Sequence, residues 1–150
     1  MAYDWCVGEQ GHKNTARRDG GPVVKIDHLD HLVLTVKDVE RSVSFYTRVL
    51  GMREVTFRGG RTGLVFGSSK INLHQVGHEF EPKAALPTPG SGDLCLVVDD
   101  DLDSVQSQLA ASGVAVEVGP VERTGAMGEM ISVYIRDPDQ NLVELSKYLS

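Results

Sequence analysis

The sequence predicts one α+β domain that contains a duplicated strand–helix unit. Sliding the chain by 62 positions lays residues 93–98 over the apolar run 31–36 without a gap, and it lays Gly113 over Gly51. Each run leads into an acidic helix start and an amphipathic helix that ends at its glycine. The duplication of a whole strand–helix unit is therefore the first feature that organises the chain.

Length and composition indicate a soluble globular domain. With 150 residues, of which 41% are hydrophobic and 24% charged, the chain can bury its own core. A net charge of −6 without a Lys or Arg stripe argues against nucleic-acid binding, and no apolar run is long enough to span a membrane. Because no signal-peptide pattern is present, we expect a cytoplasmic protein whose partner is a small molecule. Cys95 is expected to be a small core side chain.

The first module is predicted at residues 26–90, after an N-terminal extension at residues 1–25. Alternation in the strand 29–36 places His31 on one face and an aliphatic row on the other. Asp38 is a suitable N-cap for the helix that follows. Three shorter strands are predicted at residues 53–57, 62–66 and 70–76.

The last of these strands carries Asn72 and His74 on one face, and a connector rich in Pro and Gly follows at residues 77–92. Lys83 and its acidic neighbours in the connector are expected to be solvated. The second module, residues 91–150, repeats the plan, with acidic residues at its helix start explained by capping. Its strands are predicted at residues 93–98, 114–118, 131–135 and 141–145, and the loop 119–130 carries Arg123, which either reaches an anionic substrate or is solvated.

The polar positions on these strands suggest a metal site. Glu144 stands between two apolar residues, so its carboxylate needs a partner. The repeat, with a different offset after the connector, pairs Glu144 with Asn72 and His31 with Asp93. If the two halves fold around one cleft, these groups and His74 meet there, and imidazole with carboxylates suits a divalent metal. The alternative for His31 alone is an ordinary strand histidine.

Three motifs carry a family resemblance: Leu29-Asp30-His31-Leu32, the helix end from Phe45-Tyr46 to Leu50-Gly51-Met52, and Asp137-Pro138-Asp139 followed by Asn141 and Glu144. They resemble the vicinal-oxygen-chelate superfamily, which includes glyoxalase I, extradiol dioxygenases, fosfomycin-resistance enzymes and bleomycin-binding proteins. Segments 72–77, 80–84 and 123–126 resemble glyoxalase-domain-containing proteins. The resemblance covers about residues 26–148 and implies two βαβββ modules that form an eight-stranded open cup around a metal, often completed by dimerisation.

The resemblance also implies which residues hold the metal. His31 and Glu144 match ligand positions, and the other two positions fall on Asn72 and Asp93, where glyoxalase I usually has Glu and His. His74 is a candidate for the missing imidazole, which gives His31, His74 and Glu144 with Asp93 as a further ligand. The expected cofactor is a divalent metal, namely Zn, Ni, Mn or Fe.

The expected function is that of a metal-dependent glyoxalase-like enzyme, active as a homodimer. It would act on a small electrophile, such as the hemithioacetal of methylglyoxal, a thiol adduct, with Glu144 as the acid/base. Asn72, Arg123 and Lys83 are candidate substrate contacts. The alternatives are an extradiol-type dioxygenase, a fosfomycin-type thiol transferase, or a metal-free ligand-binding protein of the bleomycin-resistance kind, which the changes at Asn72 and Asp93 favour.

Overall fold

The computed structural model describes residues 23–149, so most of the predicted extension lies outside the described residues. Residues 23–30 are exposed and have no regular secondary structure. In the described part, no helix has the length and apolar character needed to cross a membrane. The elements are, in order, β1 His31–Val36, α1 Val39–Arg48, β2 Arg53–Phe57, β3 Arg61–Phe66, β4 Ser69–Gln75, β5 Asp93–Val97, α2 Leu102–Ala111, β6 Val118–Thr124, β7 Glu129–Arg136 and β8 Leu142–Tyr148.

Each βαβββ module forms one four-stranded sheet, which confirms the predicted fold class. The strand orders are β1-β4-β3-β2 and β5-β8-β7-β6, and the first and last strands of each module run parallel. Asn72 lies opposite Val33 in the first sheet, and Glu144 lies opposite Cys95 in the second. Both pairs occupy the same register position of their module. The repeat in the sequence is therefore a repeat in the structure.

The predicted caps begin both helices. Asp38 accepts a hydrogen bond from the backbone N–H of Arg41, and Asp101 accepts one from Ser104, each at 2.9 Å. After α1, Gly51 has φ +65°, a conformation that favours glycine at the end of a helix. The acidic cluster before α2 is thus accounted for by helix capping, as predicted from the sequence.

One hydrophobic core is shared by both modules. Alternation sends every second strand residue into it, and the helices cover it with Tyr46 from α1 and Leu109 from α2. Among residues 23–149, no helix packs on the opposite face of either sheet, and we call these two surfaces the open faces. The buried core residues are Leu34, Val36, Tyr46, Met52, Leu64, Ile71, Leu73, Leu102, Val105, Leu109, Val133, Ile135, Val143 and Leu145.

A buried carboxylate lies at the turn between β7 and β8. Asp137 Oδ1 accepts the backbone N–H groups of Asp139 and Asn141, both at 2.9 Å. Asp137 Oδ2 accepts the Tyr46 hydroxyl and the Asn141 side-chain amide, both at 2.8 Å. Burial and the neighbouring carboxylate raise the pKa of Tyr46, so its hydroxyl remains a donor. This cluster joins α1 of the first module to the second module.

The same turn also fixes the ends of two strands. Asp139 Oδ1 accepts the backbone N–H of Lys37 just after β1, at 3.0 Å. Asn141 Oδ1 accepts the backbone N–H of Gly92 just before β5, at 2.7 Å. Gln140, which stands where glycine is usual in such turns, has φ +72°. The turn therefore positions the edge strands of both sheets.

The predicted strand at residues 114–118 is wrong, and so is the loop at 119–130. Val114 and Val116 pack against the core after α2, and β6 instead begins at Val118. Arg123 lies in β6 because this strand pairs with the long strand β7 through a tight connection, closed by the Gly125 N–H bonded to the Gly128 carbonyl at 2.8 Å. The alternating valines at positions 114, 116 and 118 suggested a strand there and did not indicate the β6–β7 hairpin.

We predict that Tyr46→Phe lowers the free energy of unfolding by about 1.5–3 kcal/mol, because the buried Asp137 carboxylate loses one of its four donors. Urea denaturation measures this loss. Tyr148→Phe is the matched control, because it removes an exposed hydroxyl that accepts the Met127 N–H, and we expect a change within about 0.5 kcal/mol. Equal losses in the two variants would contradict a special role for the Asp137 cluster.

Candidate functional site

His31 begins β1 on the open face of the first sheet. Its side chain is 45% exposed, and its Nδ1 donates to Asp30 Oδ1 at 2.6 Å. This hydrogen bond lowers the pKa of Asp30. The hydrogen bond to Asp30 occupies the Nδ1 of His31 and leaves its Nε2 available as a metal ligand. His28 makes the same kind of contact with Asp27 at 2.5 Å, outside the strand.

Asn72 lies on the same open face, on the neighbouring strand β4. Its Oδ1 is buried and has no hydrogen-bond partner within residues 23–149. Gly63 lies opposite Asn72 on β3, and a Cβ at Gly63 would come within 3.3 Å of this oxygen. Gly63 therefore leaves space beside the Asn72 Oδ1, to which no described residue donates a hydrogen bond. A buried oxygen without a hydrogen bond destabilises the protein unless a ligand or ion binds it.

Glu144 lies on the open face of the second sheet, and its carboxylate accepts the Ser146 hydroxyl at 3.1 Å. Cys95 is directly opposite Glu144, with its sulfur 3.2 Å from the Ser146 oxygen. The prediction that Cys95 is a core residue is wrong, because alternation in β5 sends Leu94 and Leu96 to the core instead. Partial burial raises the pKa of the Cys95 thiol, which favours its protonated form.

Glu144, Asp93 and Arg123 line one hollow of about 370 Å³ on the second sheet. The Arg123 Nε donates to the Tyr134 hydroxyl at 2.8 Å, and its guanidinium carbon lies 5.3 Å from the centre of the Tyr134 ring. Arg136 and Glu117 also line the hollow and form an ion pair at 2.8 Å. Tyr134 was not predicted from the sequence; it lies opposite Glu144 in the β7–β8 register, which only the hairpin pairing reveals.

His74 lines a different cleft. Its side chain is 7% exposed and meets the Phe80 ring edge-on, with the ring centres 5.6 Å apart. Burial lowers the pKa of His74, and the positive charge of Arg61 lowers it further. The imidazole is therefore packed in place and favours its neutral form.

Lys83 lines the same cleft, but its charge is engaged. Its Nζ lies 3.2 Å from Glu79 and 3.6 Å from Glu81. Glu79 also accepts the backbone N–H of Gly77 at 2.9 Å, and this bond, with the Lys83 contact, lowers the pKa of Glu79 to about 2. Lys83 and Glu81 are exposed, as expected, whereas the side chain of Glu79 is only 7% exposed.

A single chain divides the candidate metal ligands between its two sheets. His31 and Asn72 lie on the first open face, and Asp93 and Glu144 lie on the second. Within the described part of the chain, no three His, Cys, Asp or Glu side chains cluster closely enough to hold a metal. The internal repeat places His31 and Asp93 at equivalent positions of two different sheets, and it does the same for Asn72 and Glu144. The repeat alone therefore does not bring these residues together within one chain.

Comparison with known proteins gives a consistent family. Residues 28–145 match the family described as Glyoxalase/Bleomycin resistance protein/Dioxygenase superfamily. Virulence protein STM3117 of Salmonella typhimurium (strain LT2) is 54% identical over 124 residues, which cover 83% of this chain and 86% of that protein. Its crystal structure superposes with a TM-score of 0.83 at 53% identity and covers 84% of this chain and 100% of that one.

A second relative carries a family name. Glyoxalase domain-containing protein RDO1 of Mycosarcoma maydis is 54% identical over 125 residues, which cover 83% of this chain and 70% of that protein. Lactoylglutathione lyase from Agrobacterium tumefaciens has a TM-score of 0.63 at 23% identity, with 82% of this chain and 95% of that one covered. TnmS3, an antibiotic binding protein from Streptomyces, has a TM-score of 0.67 at 23% identity, with 85% and 100% covered. The last two share the fold.

Proposed function

The chain belongs to the Glyoxalase/Bleomycin resistance protein/Dioxygenase superfamily, and from this premise we propose that it is a metal-dependent enzyme that moves a proton next to the carbonyl of a small electrophile. Proteins of this superfamily bind small molecules and commonly use divalent metals. The hemithioacetal of an α-oxoaldehyde such as methylglyoxal is the reference substrate for the proposal.

One observation carries the proposal: the polar side chains occupy equivalent positions of two open faces. In the β1–β4 register, Asn72 lies opposite Val33, two residues along the strand from His31. In the β5–β8 register, Glu144 lies opposite Cys95, two residues along the strand from Asp93. We call each pair of residues that face one another across two strands a row. Two rows correspond to about 7 Å along a strand. Each open face thus carries one half of a donor set of imidazole, amide oxygen and carboxylates.

The two halves are joined, in this proposal, between two copies of the chain in a homodimer. His31 and Asn72 of one protomer would face the partner's Asp93 and the partner's Glu144. The exposed apolar side chains on the open faces support this arrangement: Val33 is 45%, Val97 58% and Val118 43% exposed. Apolar strand residues that remain exposed beside polar ones are typical of a protein–protein contact.

The chemistry of the donors fits a divalent cation. Asp30 holds the Nδ1 of His31 and leaves its Nε2 as a ligand, and Asn72 offers a buried oxygen that has no donor among the described residues. With the partner's Asp93 and the partner's Glu144, the set contains one nitrogen and several oxygens. Oxygen-rich sites suit Mn, whereas Zn, Ni and Fe favour more imidazole, so we place Mn first among the four candidates.

We assign His74 to a role outside the metal set. In the β1–β4 register His31 lies opposite Lys70, so the His74 row is four residues away, or about 13 Å along the strand. Ligands of one ion must converge to within about 2–2.5 Å of it. Asn72 is only two residues, or about 7 Å, along the strand from His31. We therefore place Asn72, and not His74, beside His31 in the proposed metal site.

The chain's own groups would then perform the reaction. Glu144 would remove the proton from the hemithioacetal carbon next to the carbonyl and return it to the former carbonyl carbon, acting as base and then as acid. The hydroxyl proton of the hemithioacetal would move to the former carbonyl oxygen, which leaves a thioester and an alcohol. The hydrogen bond from Ser146 orients the Glu144 carboxylate. A bound divalent cation would supply polarisation of the substrate oxygens. Arg123, held by Tyr134, would contact a polar group of the substrate at the rim of the hollow.

A metal-free ligand-binding protein is the second candidate, because the donor set has only one imidazole and no titratable base at Asn72. TnmS3, which shares the fold, is an antibiotic binding protein. An extradiol-type dioxygenase or a thiol transferase would use the same open faces. Oxygen uptake or thiol consumption separates these from an isomerase.

We predict that His31→Ala and Glu144→Gln each weaken binding of Mn²⁺, Ni²⁺ or Zn²⁺ by more than about 100-fold, because each removes a direct ligand. The measurement is calorimetric titration of chelator-stripped protein, with elemental analysis after gel filtration. His28→Ala is the matched control, since His28 has the same carboxylate partner geometry outside β1. If wild type and both site variants hold the same amount of metal, the proposed site is ruled out.

A mixed dimer tests whether the site is shared between chains. We predict that a heterodimer of His31→Ala and Glu144→Gln protomers binds one cation, because one of its two interface sites retains both His31 and Glu144. Each variant homodimer should bind none with comparable affinity. Two different affinity tags allow the heterodimer to be isolated for elemental analysis. A heterodimer without metal would place both ligands in the same chain.

For activity, we predict that Glu144→Gln lowers kcat for the hemithioacetal of methylglyoxal and glutathione by about 10²–10⁴-fold, because the amide cannot accept the proton. Formation of the thioester is followed by ultraviolet absorbance in metal-loaded protein. Glu54→Gln, an exposed substitution on β2, should leave kcat unchanged. Absence of turnover by the wild type with each of the four metals, and with hemithioacetals of several thiols, would contradict the proposal.

A further inference from the structure

A cleft of about 630 Å³ runs beside β1, apart from the proposed metal ligands of the first sheet. Val33 and Thr35 of β1 and His74 of β4 line one side of it. The connector lines the other side with Ala84 and Leu86. Concave sites of this size, with mostly apolar walls and a few polar groups, are typical of small-molecule binding.

The connector wall is held in place at both ends. Near its start, Glu79 accepts the Gly77 N–H at 2.9 Å and binds Lys83 at 3.2 Å. At its end, the Gly92 N–H donates to Asn141 at 2.7 Å. Because the wall does not have to be ordered by the ligand, binding loses less conformational entropy.

Most polar side chains that line the cleft already have partners in the protein. Lys83 is bound by two glutamates, and Asn141 is bound by Gly92 and Asp137. Thr88 and Ser91 donate to backbone oxygens of the connector at 3.2 and 2.7 Å. These groups shape the wall and have little remaining capacity to recognise a ligand.

Thr35 and His74 are different. They lie opposite each other in the β1–β4 register and are 9% and 7% exposed. Neither side chain makes a hydrogen bond with any residue between 23 and 149. Phe80 packs edge-on against the imidazole and fixes its orientation. A hydroxyl and an imidazole thus line an apolar cleft together, and both keep the capacity to hydrogen-bond a ligand there.

The charged groups that line the cleft disfavour an anionic ligand. The Lys83 ammonium is neutralised by Glu79 and Glu81. Asp93 also lines the cleft and places a carboxylate there. We propose that this cleft binds a small uncharged molecule with an apolar body and a single carbonyl or hydroxyl group, which Thr35 and His74 hydrogen-bond.

The cleft also bears on the substrate of the proposed reaction. The Thr35–His74 row lies on the same open face as Asn72, about 7 Å along the strand. The occupant is then the apolar part of the substrate, and the substrate class is an uncharged carbonyl compound or its adduct with an uncharged thiol. This identification rests on the proposed function, whereas binding in the cleft does not.

The test is titration of metal-free wild-type protein, followed by amide NMR, with two probes of matched size: the ketone benzylacetone and the carboxylate phenylbutyrate. Benzylacetone should shift the amides of Thr35, His74 and Ala84. Phenylbutyrate should bind at least about tenfold more weakly, because Asp93 repels it. Shifts confined to residues elsewhere, or tighter binding of phenylbutyrate, would overturn the proposal.

Variants locate the contacts. Thr35→Val and His74→Phe keep the packing and remove the polar groups, so each should weaken benzylacetone binding by about three- to tenfold. Ala84→Trp, at an exposed position of the connector, should fill the cleft and abolish binding. Thr56→Val on the exposed side of β2 is the control and should bind as the wild type does. Unchanged affinity in all three cleft variants would overturn the proposal.

These results are separable from those on the metal. If cleft binding fails while His31→Ala and Glu144→Gln still lose metal, the proposed function stands and the cleft proposal fails. If the metal proposal fails while benzylacetone still binds as described, the cleft is a ligand site of a metal-free protein.

Discussion

The buried carboxylate of Asp137 is the constraint on which the rest of this structure depends. An ionised carboxyl group away from water is very costly unless hydrogen bonds satisfy it. Four donors do so here, and one of them is the Tyr46 hydroxyl of the other module. The turn that carries Asp137 also binds the end of β1 through Asp139 and the start of β5 through Asn141. Together with the shared core, this one turn fixes the relative position of the two sheets, and therefore of their open faces.

Duplication explains both the strength and the incompleteness of the candidate metal site. It places His31 with Asn72, and Asp93 with Glu144, at the same register positions of two sheets. Because both sheets turn their apolar faces to one shared core, their open faces cannot also face each other across that core. Pairing of two chains is the simplest way to join the halves. The cleft of Thr35 and His74, in contrast, is complete within one chain.

Much of the fold could be predicted from local signals. Periodicity, the caps Asp38 and Asp101 and the glycines after the helices gave the repeat and both helices correctly. The β6–β7 hairpin was missed because its pairing depends on β7, which is distant from the alternating valines that suggested an earlier strand. Cys95 was misassigned because a single strand does not reveal which of its faces meets the core. The separation of His31 from Glu144 could not be foreseen, since a sequence repeat shows equivalence and not proximity.

The exposed valines of the open faces have a thermodynamic consequence. If these faces meet only when two chains associate, then metal binding and association are linked equilibria, and each strengthens the other by the same factor. Dilution would then release the cation even at constant free metal concentration, and loading with metal would hold dimers together at concentrations where the apo chains separate. The concentration of the protein would thus determine the fraction of metal sites that are complete.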